Sequence, residues 1–138
     1  MAALFPSVDW LEAFKDKLNS DEKYAHIAHK WEGDIMFQIE PGGPVSKPVY
    51  FYLDLWHGKC RDAYMIQAEQ PQSSKAAYIL AAPYENFVKL LRGELDPMQA
   101  MITRKLKVQG SMAYMMRNVP VVLDFVRCAK EIETDFLE

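Results

Sequence analysis

The stretch from Arg92 to Gly110, RGELDPMQAMITRKLKVQG, decides how this chain is read. Gly93 predicts a helix C-terminus, because glycine takes positive φ at little cost. Asp96 before Pro97 predicts an N-cap with proline at the first helical position. Met98, Met101 and Ile102 then share one face. Leu106 and Val108 alternate with Lys105 and Lys107 until Gly110 ends the strand. A second methionine face follows at Met112, Met115 and Met116. Clustered flexible, polarizable side chains suit a pocket for an irregular apolar ligand. On residue type alone, however, the expected role of these methionines is to fill an ordinary core.

Working outward, Ser7 predicts the cap of a helix with Val8, Leu11, Phe14 and Leu18 on one face, broken at Asn19-Ser20. A second helix places Tyr24, Ile27, Ala28 and Trp31 in register. After Gly33 the period changes from 3.6 to 2, with Ile35, Phe37 and Ile39 opposite Met36, Gln38 and Glu40. Pro41-Gly42-Gly43-Pro44 is a turn. A strand from Val49 to Trp56, a turn at His57-Gly58 and a strand from Cys60 to Ala68 form a β-hairpin. A polar loop over 69–74 precedes a fourth, alanine-rich strand from Ala76 to Ala82. Pro83 opens a helix with Phe87, Leu90 and Leu91 inward. Pro120 starts the last helix, with Val122, Phe125, Val126, Ala129 and Ile132 apolar and Asp124, Arg127 and Glu131 opposite. Strands and helices are segregated. That order predicts one α+β domain over residues 1–138: an N-terminal helical pair over 1–32, then a sheet with helices on one face over 33–138.

From Trp31 to Leu123 the sequence resembles the sterol carrier protein 2 family (the SCP2 sterol-binding domain). Gly93, Leu95 and Pro97 match its turn into a helix, and Leu106, Lys107, Val108 and Gly110 match the strand signature. Upstream, Tyr52-Leu53-Asp54-Leu55 ahead of Gly58, and Tyr84, Phe87 and Leu90 ahead of Gly93, follow the family's order. Arg104 stands where the family has glycine. The resemblance implies a five-stranded mixed sheet with a hydrophobic tunnel between sheet and helices. It implies a sterol, fatty acid, fatty acyl thioester or other apolar small molecule as ligand. The expected lining is Phe87, Leu91, Met98, Met101, Ile102, Met112, Met115, Met116, Val122, Phe125 and Val126. Arg104, Gln109 or Arg117 is expected to meet a carboxylate at the mouth. The alternative is an accessory or scaffold subunit for a catabolic enzyme, its tunnel closed, with Trp10 and Trp31 on a surface for a homodimer or partner enzyme.

Composition bounds the remaining classes. The 138 residues suffice for one core, half of them are apolar, and the net charge of −3 argues against a phosphate-tracking nucleic-acid surface. Cys60 and Cys128 lie far apart, which predicts free thiols rather than a disulfide framework. No apolar run reaches the ~20 residues of a membrane span, and the N-terminus lacks a signal-peptide pattern. A cytoplasmic protein is therefore expected. Phe136-Leu137-Glu138 is not a peroxisomal address. His26 and His29 at i, i+3 predict exposed side chains rather than a metal site, and His57 a turn residue. Ser111 predicts a cap, not a nucleophile, and Cys128 a packing residue. No acid–base pair, phosphate cradle or cofactor motif is present, so neither catalysis nor a cofactor is expected.

Overall fold

Alternating apolar residues build the sheet first. β2 (Ile35–Glu40), β3 (Val49–Trp56), β4 (Lys59–Ile66), β5 (Tyr78–Pro83) and β6 (Lys107–Gln109) assemble in the order β4-β3-β2-β5-β6, whereas β1 (Ala3–Phe5) and β7 (Thr134–Phe136) pair separately. The computed structural model describes residues 2–66 and 76–137. The expected strand end at Ala68 and the polar loop over 69–74 fall outside them. All pairings in the main sheet are antiparallel except β2–β5, which is parallel, so the sheet is mixed.

Register explains which side chains face the helices. Ile35, Phe37 and Ile39 stand opposite Leu53, Phe51 and Val49, and beside Tyr78, Leu80 and Ala82. These share the inner face, because side chains alternate along each strand. The β3–β4 hairpin turns on His57 and Gly58, both at positive φ (51° and 82°), the pattern of a two-residue primed turn. At Gly110 a Cβ would lie 2.6 Å from the Ala77 carbonyl oxygen, so only glycine lets the chain leave β6 this close to β5.

Helices α1 (Val8–Ser20), α2 (Glu22–Ile27), α3 (Tyr84–Leu91), α4 (Pro97–Ile102), α5 (Met112–Met116) and α6 (Val119–Lys130) surround that inner face. Besides α2, three begin where a side-chain oxygen meets a free backbone N–H. Ser7 accepts from Trp10 N at 3.1 Å, Asp96 from Gln99 N at 2.9 Å and Ser111 from Tyr114 N at 3.2 Å. Asn19 exchanges two hydrogen bonds with the Cys60 backbone, at 2.8 and 2.9 Å, and ties α1 to β4.

Several sequence expectations shift by local chemistry. The first helix runs through Asn19-Ser20 and ends at Asp21, which caps α2 by accepting from Tyr24 N at 2.8 Å. Trp10, not Val8, lies on its buried face. The second helix stops at Ile27, so Trp31 reaches the core from beyond it. Arg104 takes φ 63°, the left-handed backbone that glycine adopts more cheaply. Asp124 is only 5 % exposed instead of solvated.

That aspartate belongs to an ion-pair clasp joining α1, the start of α2 and α6. Arg127 donates to Asp21 and Asp124, each at 2.7 Å, and to Glu131 at 3.0 Å; Lys17 reaches Asp21 at 3.0 Å and Glu131 at 2.7 Å. The Arg127 guanidinium, then the Tyr24 N–H, hold the Asp21 carboxyl below the usual carboxylate range.

Candidate functional site

Between the inner face of the sheet and the helices lies a cavity of about 90 Å³. The sheet contributes Ile35, Phe37, Ile39, Phe51, Leu55 and Leu80 to its wall. The helical side contributes Phe87, Leu90 and Leu91 from α3, and Val121, Val122, Phe125, Val126 and Ala129 from α6. Pro97 and Met101 from α4, Leu106, and Met115 from α5 close the side next to β6. Phe5, Trp10, Phe14, Tyr24 and Trp31 complete the lining from the N-terminal part.

Aromatic packing organises the interior. Phe37 stacks on Phe125 with ring centroids 6.0 Å apart and meets Phe87 edge-on at 5.9 Å. Phe14 lies 4.9 Å from Phe125, and Trp10 stacks on Phe51 at 6.2 Å. The indole N–H groups point at partners, Trp10 to the Thr134 hydroxyl at 3.0 Å and Trp31 to the Gly33 carbonyl at 2.9 Å. Among the described residues no buried side-chain nitrogen or oxygen lacks a hydrogen-bond partner. The cavity thus offers an apolar guest shape and dispersion, not a charge to bind.

Of the eleven side chains expected to line it, Phe87, Leu91, Met101, Met115, Val122, Phe125 and Val126 do so. Met98, Ile102, Met112 and Met116 do not. Ile102 is 73 % exposed, Met112 41 % and Met116 52 %. The reason is helix length: α4 has six residues and α5 five, so each turns one narrow face inward and the neighbouring positions outward. Arg104, Gln109 and Arg117 are exposed, and none lines the cavity. Sequence reading missed the aromatic wall from the N-terminal part. Its signal was the i, i+4 pair Trp10 and Phe14. Trp10 and Trp31, 4 % and 2 % exposed, are cavity walls rather than a partner surface.

Among the described residues Tyr24 is the one titratable side chain that lines the cavity. His57 pairs with Glu32 at 2.7 Å, and His29 Nδ1 lies 2.8 Å from the His26 carbonyl. Asp21, Asp124 and Cys128 have ligand atoms within 4.8 Å of one another, but the Arg127 guanidinium already occupies both carboxylates. Burial pushes the Cys128 thiol up to about 11, far from a metal-binding thiolate at neutral pH. Cys60 is likewise pushed up to about 11, by burial first.

The model of the SCP-2 sterol transfer family matches residues 11–122. The chain belongs to that family. Among solved structures, a sterol carrier protein 2 crystal structure is 28 % identical with a TM-score of 0.82, covering 91 % of this chain and 97 % of that one. The solution structure of a conserved protein from Thermus thermophilus, described as possibly a sterol carrier protein, is 27 % identical with a TM-score of 0.81, covering 94 % and 90 %. The fold also matches Aedes aegypti sterol carrier protein 2, solved in complex with palmitate: 18 % identity, TM-score 0.51, covering 86 % and 96 %. No curated protein sequence matches the chain significantly. Among the described residues no helix is long and apolar enough to cross a membrane.

Proposed function

We propose that the chain is a non-catalytic lipid carrier that holds the apolar part of a fatty acid, acyl thioester or sterol between sheet and helices. The observation that carries this reading is the cavity itself, walled throughout by aliphatic and aromatic side chains at the junction of both layers. Family membership supports the same reading. Apolar guest area removed from water would supply roughly 25 cal/mol per Å², less the cost of immobilising the guest.

At about 90 Å³ the cavity is well below the roughly 300 Å³ at which small-molecule pockets begin, so the ligand must widen it. The methionines at its wall, Met101 and Met115, are the side chains best able to give way, having three flexible torsions each. Trp10 and Trp31 line the cavity and report occupancy directly. Palmitate, oleate and cholesterol should each be titrated while tryptophan emission and melting temperature are followed. A saturable emission change, with a melting temperature that rises with ligand concentration, is expected for at least one of them. No response to any member of a broad lipid panel would defeat the carrier reading.

The small volume favours a second reading: an accessory or scaffold subunit, self-associating or bound to an enzyme, whose cavity stays closed. The same panel separates the two. A scaffold would ignore the lipids and instead show a stable dimer or complex by sedimentation.

A further inference from the structure

One polar atom of the cavity lining is left without a role. Trp10 and Trp31 donate their indole N–H groups to the Thr134 hydroxyl and the Gly33 carbonyl, so neither has a donor to spare. Tyr24 is the other lining residue whose side chain carries nitrogen or oxygen. Its backbone N–H donates to Asp21 at 2.8 Å, but among the described residues no hydrogen bond reaches its hydroxyl. The residue is only 1 % exposed. No fully sealed side-chain oxygen among the described residues lacks a partner, so this hydroxyl borders open space, and the space that Tyr24 borders is the cavity.

The phenol is also held in place. Asp21, which accepts from the Tyr24 N–H, is gripped by Arg127 at 2.7 Å and by Lys17 at 3.0 Å. The ring lies 6.5 Å from that of Phe125 on α6. A side chain fixed in advance loses little further freedom when a guest meets it. Burial pushes the hydroxyl well above the ordinary tyrosine range, so it stays protonated and uncharged. It can therefore donate one hydrogen bond and accept another.

We propose that the Tyr24 hydroxyl anchors an uncharged oxygen of the guest, so that long-chain alcohols and esters enter the cavity oxygen-first. The proposal rests on the carrier reading and adds which end of the lipid is recognised inside. A carboxylate does not fit there. No lysine, arginine or histidine lines the cavity, and Arg127 is committed to Asp21, Asp124 and Glu131. An ionised acid would give up its water for a single O–H donor, so it should enter tail-first with its carboxylate outside. A plain hydrocarbon leaves the hydroxyl unmatched. Water competes weakly, since buried water typically makes about three hydrogen bonds and here finds one spare polar side chain. The groove on the outer face of β3 offers no such spare group. Its Glu32, Asp34 and Asp54 are already engaged by His57, Tyr52 and Arg61.

The test compares wild type with Tyr24→Phe, which removes only the hydroxyl. Dodecane, 1-dodecanol, methyl dodecanoate and dodecanoate are delivered from cyclodextrin at pH 8, where the acid is ionised, and tryptophan emission follows binding. The variant should bind 1-dodecanol and methyl dodecanoate about tenfold more weakly, because the guest oxygen is then left unpaired. Dodecanoate should bind both proteins alike, and dodecane should bind the variant at least as tightly as wild type. Without ligand the variant should melt no lower than wild type, since no hydrogen bond of the fold is lost. A similar loss for all four probes, a loss confined to dodecanoate, or no loss for either uncharged oxygenated probe would overturn the proposal. A variant that melts well below wild type would overturn it too, because the hydroxyl would then already serve the fold. If lipids bind wild type and Tyr24→Phe alike, the anchor fails and the carrier reading stands. If no probe binds either protein, both fail.

Discussion

On one side of the cavity, α1 and α6 are locked together by Arg127, Lys17, Asp21, Asp124 and Glu131, above a floor of fully buried Leu11, Phe14 and Leu18. On the side next to β6, α4 and α5 form no ion pair among the described residues, and α5 is held instead by the Glu32 N–H donating to the Tyr114 hydroxyl at 2.9 Å and the Tyr78 hydroxyl donating to the Ser111 carbonyl at 3.0 Å. Their ends are satisfied by their own caps, Asp96 and Ser111, and much of their apolar surface is exposed. Both sides touch the same cavity. The difference shows where a guest is expected to gain room: elements held by a few hydrogen bonds open at lower free energy than elements cross-linked by buried ion pairs. The clasped side is therefore expected to be the frame and α4–β6–α5 the compliant wall.

Arg127→Ala should break that contrast most severely. It strands Asp124, only 5 % exposed, and Asp21 without their main cation, which costs about 3–5 kcal/mol. Urea unfolding measures the loss. A cost under about 1 kcal/mol would show that the frame does not depend on the clasp.

Acid should loosen the frame through Asp21. Its carboxyl titrates below its unfolded value, so its contribution is complete above the ordinary carboxylate range and is lost as pH falls toward its folded value. Stability is therefore expected to drop steeply below about pH 4. Asp21→Asn keeps an α2 cap, since asparagine caps as well as aspartate, but removes the charge. That variant should be less stable at pH 7 by about 2 kcal/mol and should lose less on acidification. Parallel acid curves for the two proteins would place the acid sensitivity elsewhere.

In the compliant wall the effect should be smaller and of opposite sign. Arg104 sits at φ 63°, where a side chain costs about 1–2 kcal/mol relative to glycine. Arg104→Gly should therefore raise stability by about 1 kcal/mol after the entropy it returns to the unfolded chain. A destabilised variant would mean that the Arg104 side chain makes contacts worth more than its strain.

Much of the frame was legible in the sequence because its signals are local. His57-Gly58, the caps Ser7, Asp96 and Ser111, and the period-2 pattern of β2 and β3 each act within a few residues. The clasp was not legible, because Asp21 and Arg127 are 106 residues apart and each alone resembles a solvated charge. The pairing of β1 with β7 joins two three-residue strands, too short to show a period. At the cavity, α6 could be read well because twelve residues define a face; α4 and α5 could not, because one and a half turns leave the inward direction to the packing partners. Hence the sequence pattern groups Met101 and Met115 with Ile102, Met112 and Met116, which face the other way.

That division among the methionines gives the smallest and sharpest test. Met112→Ile/Met116→Ile alters two exposed side chains and should change stability by no more than about 0.5 kcal/mol. Neither residue lines the cavity, so the range of saturated, unsaturated and ring-containing lipids bound in vesicle-free solution should stay as it is. Met115→Ile alters a side chain 2 % exposed at the cavity wall and should cost under about 1.5 kcal/mol, since volume is nearly conserved. Isoleucine is stiff at χ1, so this wall position could no longer adapt, and the bulkiest lipids should be lost first. The two variants differ in where the methionine points, not in chemistry. If the exposed pair narrowed the ligand range as much as Met115→Ile, then Met112 and Met116 would have to turn inward when a guest enters. The compliant wall would then include a rotation of α5 rather than side-chain adaptation alone.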